Sequence, residues 1–117
     1  MYIILCYNKN IQETYAGEID LNERLKFEWD ENKNKINRAK HGVDFETASL
    51  VFFDENRIEG YDEAHSLYED RYHTIGKVQD ILFVIFTERK DKIRLISARK
   101  ANRLERRLYY DRDLYFR

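Results

Sequence analysis

The stretch EDRYHTIGKVQDILFVIFTERKDKIRLISAR, residues 69–99, predicts three consecutive β-strands, which make up most of the expected sheet. The first and third segments alternate between polar and apolar residues, as strands with one covered face do. The middle segment ILFVIFT, residues 81–87, is apolar almost throughout, which indicates a central strand covered on both faces. The links between the segments are short and polar, which favours antiparallel hairpins. We therefore predict an antiparallel meander.

A strand and a polar helix are predicted on the N-terminal side of this meander. The segment KFEWD, residues 26–30, has the pattern of a short strand that ends at Asp30, a good helix N-cap. The helix that follows is expected to stop at Gly42, since glycine is the usual residue just past a helix C-terminus. The helix offers little apolar surface, so Ile36 and Ala39 are expected to supply its buried contacts.

Two further helices are predicted. Asp44 is placed to cap a short helix with an apolar face formed by Phe45, Ala48 and Phe52. From about Arg99 the pattern changes to a C-terminal helix. Its predicted apolar stripe consists of Ala101, Leu104 and Leu108.

The predicted order is β-α-α-β-β-β-α, with the first strand joining the meander. This order indicates the α+β class, an antiparallel β-sheet with helices packed on it. Residues 25–117 are expected to form this domain. Residues 1–24 are expected to be an N-terminal extension, either an extra hairpin or a loosely attached arm.

Composition limits the classes of protein that fit. The 117 residues suit one domain, and a single cysteine, Cys6, excludes an intrachain disulfide. No apolar run approaches the ~20 residues of a membrane span, and the apolar start MYIILCY is too short for a signal peptide. We expect a cytoplasmic protein.

Charge is distributed very unevenly along the chain. The formal net charge is −1, but residues 89–107 hold nine basic and two acidic side chains, a local net charge of +7. A field of that size attracts anions whatever the overall balance is. The segment therefore indicates an anionic partner.

Three motifs in order resemble one known family. They are FEWDENKNKINRAKHGVDFETASLVFFD at residues 27–54, EDRYHTIG at 69–76 and IRLISARKANRLERRLYYD at 93–111. Together they are similar to the BrnT family of ribonuclease toxins from bacterial type II toxin–antitoxin systems, over about residues 26–111. The resemblance implies a compact RelE-like fold and cleavage of mRNA that halts translation. It also implies a BrnA-like ribbon-helix-helix antitoxin as partner.

The chain departs from the family pattern at three places. The family usually begins near FEWD, so residues 1–24 have no counterpart in it. A proline commonly follows the aspartate at position 54, where this chain has Glu55, and a glycine usually follows the arginine at position 89, where this chain has Lys90.

Metal-independent RNA cleavage needs a base for the 2′-OH, cations for the phosphate oxygens and an acid for the leaving oxygen. Arginine suits the cationic role because its planar fork binds phosphate at two points. Arg71, at the family's RY position and predicted within a strand, is the first catalytic candidate. An ion pair with Glu69 or Asp70 is the alternative.

The other catalytic candidates are Arg89 and Arg94, which flank the turn between the last two strands, and Lys40 and His41 of the family's KHG motif. Histidine titrates near neutrality and therefore suits proton transfer. Helix capping is the equal alternative for His41, and Lys40 is better suited to electrostatic attraction of RNA than to proton transfer.

RNA-binding candidates follow from the basic segment. Arg99 is expected to open the C-terminal helix beside a phosphate, with a structural bond to Glu105 as the alternative. The helix then presents the remaining RNA-binding candidates, Arg103, Arg106 and Arg107. Tyr109 is expected to be buried against the sheet rather than stacked on a base.

No metal or cofactor is expected. The three histidines lack metal-ligand spacing, and the chain has neither a P-loop nor a dinucleotide fingerprint. The expected partners are RNA and the antitoxin, in a 2:2 complex bridged by the antitoxin dimer, and the free toxin is expected to be a monomer. A non-catalytic nucleic-acid-binding module is the competing interpretation, and a protein-interaction domain is a third.

Overall fold

The computed structural model describes residues 25–111, so the predicted extension at residues 1–24 lies outside the described residues. The described elements, in chain order, are strand β1 (Lys26–Glu28), helix α1 (Glu31–His41), helix α2 (Phe45–Ser49), a 3₁₀ turn (Leu50–Phe53), strand β2 (Ile58–Tyr61), a second 3₁₀ turn (Glu63–His65), strands β3 (Tyr72–Val78), β4 (Asp80–Arg89) and β5 (Lys92–Lys100), and helix α3 (Arg103–Tyr110).

The strands form one sheet in the order β1-β5-β4-β3-β2. The predicted meander is confirmed, since β3, β4 and β5 pair antiparallel with β4 in the centre. β1 joins the meander by pairing parallel to β5. The strand β2 was not predicted, because its four residues IEGY are too few and too mixed to show an alternating pattern. The α+β class is as expected.

Each face of the sheet carries its own apolar cluster. Helices α1 and α2 cover one face, here called the α1/α2 face, where Phe45, Phe52 and Phe86 are almost fully buried. Helix α3 covers part of the other face, the α3 face, where Ile81 and Tyr109 pack together. The middle strand is therefore covered on both sides, as its continuous apolar run predicts.

The caps of α1 and α2 are confirmed. The Asp30 carboxylate accepts hydrogen bonds from the backbone N–H groups of Asn32 and Lys33, and Asp44 accepts one from Thr47. The same bond holds the pKa of the Asp44 carboxyl below its usual value. Gly42 ends α1 in the left-handed conformation, with φ of 73°.

The inward residues of α1 differ from those predicted. Ile36 is 64% exposed and Ala39 is also exposed, whereas Asn34 and Asn37 are buried. The Asn37 side chain donates to the carbonyls of Val43 and Ala98 at 2.9 and 2.7 Å and accepts from the Ala98 N–H at 3.2 Å. The helix is therefore held to β5 by amide hydrogen bonds, which an apolar stripe does not reveal.

The C-terminal helix begins later than predicted. Arg99 lies within β5, and α3 starts after Asn102, whose side chain and that of Glu105 form a reciprocal capping box. Leu104 is 59% exposed, so it does not belong to the buried stripe, whereas Tyr109 is buried as expected. The strand continues because Leu82 of β4 still pairs with Lys100.

The turn between β4 and β5 contains Lys90 with φ of 57°, a left-handed conformation that glycine adopts more easily. It is the position where the family pattern has glycine. No helix between residues 25 and 111 is both long and apolar enough to span a membrane.

Candidate functional site

Three of the predicted arginines meet on the α3 face, near the turn that joins β4 and β5. Arg94 points to this face because its neighbours Ile93 and Leu95 are buried in the core on the other face. Arg89 ends β4, and Arg71 lies immediately before β3 rather than within a strand as predicted. Arg71, Arg89 and Arg94 are called the arginine cluster below.

The arginine cluster is held by long ion pairs. The Glu69 carboxylate lies 3.5 Å from the Arg71 guanidinium and 3.3 Å from that of Arg89, and Glu28 lies 3.4 Å from Arg94. These arginine side chains are between 26% and 49% exposed. Long pairs within reach of solvent contribute little, so an incoming phosphate can replace the carboxylates at low cost. The ion-pair alternative for Arg71 is therefore present, in a form that leaves the guanidinium available.

Arg71 has a further unused group. Its Nε is buried, and no acceptor within residues 25–111 bonds to it. Nearby, the Thr87 hydroxyl donates to the Asp70 carbonyl at 2.7 Å, which holds the start of β3 against β4. Arg71 is thus positioned by fixed backbone, although it precedes the strand.

Arg99 belongs to a tighter arrangement. Its guanidinium makes two hydrogen bonds to Glu105, at 2.8 and 2.9 Å, and lies 4.3 Å from the centre of the Phe83 ring. The bond to Glu105 raises the pKa of Arg99. Burial works against ionisation of Glu105, but the bonds from Arg99 and from the Asn102 N–H outweigh it and lower the pKa of Glu105. The bond between Arg99 and Glu105, which was the alternative expectation for Arg99, is therefore present.

His73, which is not among the catalytic candidates from the sequence, lies on the same face. It follows Arg71 by two residues, and its ring stacks on Phe83 at 5.3 Å with an interplanar angle of 18°. Burial lowers the pKa of His73, partly offset by the nearby carboxylates of Asp62, Glu105 and Glu59. A neutral imidazole at pH 7 can accept a proton. Side chains two residues apart in an extended chain point to the same face, so the spacing of Arg71 and His73 in the sequence already predicts this placement.

Lys40 and His41 are not brought to the arginine cluster. They lie at the end of α1, beyond the level at which Asn37 bonds to Ala98 in β5. Ala98 lies four strand residues beyond Arg94, and Lys40 and His41 lie about one helical turn beyond Asn37, so the path from Arg94 to them is about 20 Å long. Both residues also belong to the α1/α2 face. One phosphate cannot contact both groups.

The outer side of α3 forms a separate basic surface. It borders a groove lined by Arg103, Arg106, Arg107, Tyr110 and Asp111. Arg106 also bonds to Asp80 at 2.8 Å, and this bond holds the pKa of the Asp80 carboxyl below its usual value. Within residues 25–111, no three His, Cys, Asp or Glu side chains are grouped to hold a metal ion.

Comparisons with known proteins agree with this architecture. The family model described as "Ribonuclease toxin, BrnT, of type II toxin-antitoxin system" matches residues 29–105. The crystal structure of the Brucella abortus ribonuclease toxin BrnT is similar, with 30% sequence identity and a TM-score of 0.55 over 68% of this chain and 99% of that chain. No curated protein matches. The fold and the family match define a ribonuclease toxin of a type II toxin–antitoxin system. Within that class, the chain belongs to the BrnT family.

Proposed function

We propose that this ribonuclease toxin cleaves mRNA without a metal ion and thereby inhibits translation, with the arginine cluster holding the scissile phosphate. The observation that carries the proposal is the arrangement of three loosely paired arginines at one end of the α3 face. Arg71 and Arg89 share the Glu69 carboxylate, and Arg94 pairs in register with Thr87, whose hydroxyl bonds to the Asp70 carbonyl beside Arg71. Guanidinium groups stay charged at every working pH and match phosphate oxygens in pairs.

In the proposed reaction the 2′-oxygen attacks the adjacent phosphorus, forming the O2′–P bond as the P–O5′ bond breaks. A base removes the 2′-OH proton, and an acid delivers a proton to the leaving 5′-oxygen. The products are a 2′,3′-cyclic phosphate and a 5′-hydroxyl. Arg71 is assigned to stabilise the charge that builds on the non-bridging oxygens, since the backbone beside it is held to β4 by the bond from the Thr87 hydroxyl to the Asp70 carbonyl.

We assign the proton-accepting role to His73 rather than to His41, because His73 shares the α3 face with Arg71 and follows it by two residues, roughly 7 Å along the chain. Its lowered pKa keeps the ring neutral at pH 7. Lys40 and His41 are left with contacts to more distant parts of the RNA. The other proposed RNA-binding groups are Arg103, Arg106 and Arg107, whereas Arg99, also an RNA-binding candidate from the sequence, keeps its bonds to Glu105.

The proposed partner is a BrnA-like ribbon-helix-helix antitoxin. Such proteins are dimers, so one antitoxin dimer is expected to carry two toxin chains in a 2:2 complex without toxin–toxin contacts. We propose that it covers the α3 face near Arg71, Arg94 and Arg99, so that RNA and antitoxin exclude each other, and that the free toxin is a cytoplasmic monomer.

The test is an RNA digestion with the purified chain in excess EDTA. Cleavage should continue, and the fragments should end in 2′,3′-cyclic phosphate or 3′-phosphate. Loss of cleavage in EDTA, or 3′-hydroxyl ends, contradicts the mechanism. RNA that binds but stays intact would favour the non-catalytic binding module.

A further inference from the structure

The loop between β2 and β3 presents two large apolar side chains to solvent. Tyr68 is fully exposed at 100%, and Leu67 is 79% exposed. The next residue is Glu69, which contacts both Arg71 and Arg89. The apolar tip of the loop and the arginine cluster are therefore neighbours.

The exposure is not a consequence of a loose loop. The two ends of the loop are joined by a hydrogen bond from the Asp62 N–H to the Arg71 carbonyl at 2.8 Å. The Ser66 hydroxyl donates to the Asp62 carbonyl at 2.6 Å and accepts from the Arg71 N–H at 2.9 Å. Asp62 also accepts from the His65 N–H at 3.1 Å. These bonds hold the chain on both sides of Leu67 and Tyr68.

Two adjacent exposed apolar side chains on a bonded loop are suited to contact with a ligand, because an aromatic ring in water gains free energy when it is covered. The ligand must also suit the neighbouring cations. A nucleotide in a single strand does both, since its base has a flat apolar face and its phosphate is an anion. Proteins that hold single strands combine stacking aromatic rings with a positively charged groove.

We propose that Tyr68 stacks on an unpaired nucleobase next to the phosphate held by the arginine cluster, and that Leu67 covers the edge of that base. Tyr68 is three residues from Arg71, at most about 10 Å along the chain, so base and phosphate belong to neighbouring nucleotides. The substrate class is then single-stranded RNA with an unstacked base beside the cleavage site. This inference rests on the proposed function.

Binding of an uncleavable RNA tests the inference. The probe is a fluorescent single-stranded RNA with 2′-O-methyl groups at every position, followed by anisotropy. Tyr68→Ala should weaken binding roughly 5- to 150-fold, the range for loss of one stacked base. Tyr68→Phe, which keeps the ring, should bind within about 2-fold of the unchanged protein. Leu50→Ala is the matched control, since Leu50 is also exposed, at 52%, but lies beside α2.

A second arm identifies the base. Abasic sites are placed one at a time along the probe, and one position should weaken binding to the unchanged protein by a factor similar to that of Tyr68→Ala. The Tyr68→Ala protein should not respond to that abasic site, because the stacking contact is already missing.

The outcomes separate this inference from the proposed function. If the unchanged protein binds and cleaves RNA while Tyr68→Ala binds equally well, the stacking site is contradicted and the ribonuclease proposal stands. If the unchanged protein neither binds nor cleaves RNA, both are contradicted. If Tyr68→Ala keeps RNA but loses the antitoxin, the loop tip is a protein-docking surface and the inference is overturned.

Discussion

Arg71 is the residue with the most specific environment in the arginine cluster. Its guanidinium contacts Glu69 at 3.5 Å, its Nε is buried with no acceptor among residues 25–111, and its side chain is 28% exposed. A group that is positioned but not fully bonded is suited to an anion that arrives during the reaction. Arg99 is the opposite case, since Glu105 already occupies both sides of its fork.

Replacement of Arg71 should affect turnover more than binding. Arg71→Ala is expected to lower kcat about 10²- to 10³-fold, with a much smaller change in KM, because the lost contact strengthens only as the phosphate gains charge. The kcat of Arg71→Lys should fall between those of the unchanged protein and Arg71→Ala, since lysine keeps the charge but lacks the planar fork. Steady-state cleavage of a labelled RNA gives both constants.

Arg38→Ala is the control, because Arg38 is an exposed arginine of α1. It should leave both constants unchanged. Equal losses of turnover and RNA affinity in Arg71→Ala would reassign Arg71 to simple binding.

Helix α1 shows how an element with little apolar surface is attached to a sheet. Its buried positions are Asn34 and Asn37, and both amides bond to backbone groups outside the helix. Asn34 Oδ1 accepts from the Phe45 N–H at 2.8 Å, which ties α1 to the start of α2. Specific hydrogen bonds of this kind fix the helix in one position on β5.

The dependence of α1 on Asn37 can be measured. Asn37→Ala should lower the free energy of unfolding by about 2–4 kcal/mol, because it leaves buried backbone groups of Val43 and Ala98 without partners. Ile36→Ala should change it by less than about 0.5 kcal/mol, since Ile36 is exposed. Denaturant unfolding of the two variants provides the comparison. A larger loss for Ile36 would show that α1 is held by apolar contacts instead.

The junction of β5 and α3 depends on the Arg99–Glu105 pair. The folded state lowers the pKa of Glu105, so the pair stabilises the protein above the unfolded-state pKa of about 4.3 and loses this effect as pH falls through the folded-state pKa. Glu105 is the N3 residue of the capping box, and glutamine can also serve there. Glu105→Gln therefore removes the charge and keeps the cap.

Glu105→Gln should lower the free energy of unfolding by about 1 kcal/mol at pH 7, a value reduced for the partial exposure of Arg99. The difference between the two proteins should shrink as the pH falls below the unfolded-state pKa of about 4.3 and Glu105 is protonated. Denaturant unfolding at pH 7 and at pH 3.5 measures it. A difference that stays constant with pH would mean that the charge is not the cause.

The whole molecule is electrostatically polar. The +7 segment at residues 89–107 forms the end of β4, the whole of β5 and the first part of α3, so its charge is concentrated along one strand and the last helix. Residues 1–88 carry a net charge of −8. Such a molecule is expected to approach RNA with its basic side first.

The affinity for RNA should therefore fall steeply with salt, by about 0.7 log units per log unit of salt for each phosphate contact on a single strand. Arg107→Gln should flatten this dependence by about one contact, and so should Arg103→Gln. Lys35→Gln, which removes an exposed charge from α1, should leave it unchanged. If neither arginine replacement alters the slope, the outer side of α3 is a solvated surface.

Local patterns along the chain predict the caps of α1 and α2, the antiparallel meander and the family. Asp30, Gly42 and Asp44 form their capping bonds with residues at most four positions away. The alternation of polar and apolar residues in 69–99 is also a local pattern, so neither the caps nor the strands require a distant contact to be predicted. Which charged groups lie together depends on contacts between residues far apart in the chain. Arg89 reaches Glu69 across 20 residues and Arg94 reaches Glu28 across 66, because strand register brings them together. The same register and the course of α1 keep Lys40 and His41 away from the arginine cluster, and no local pattern carries that information.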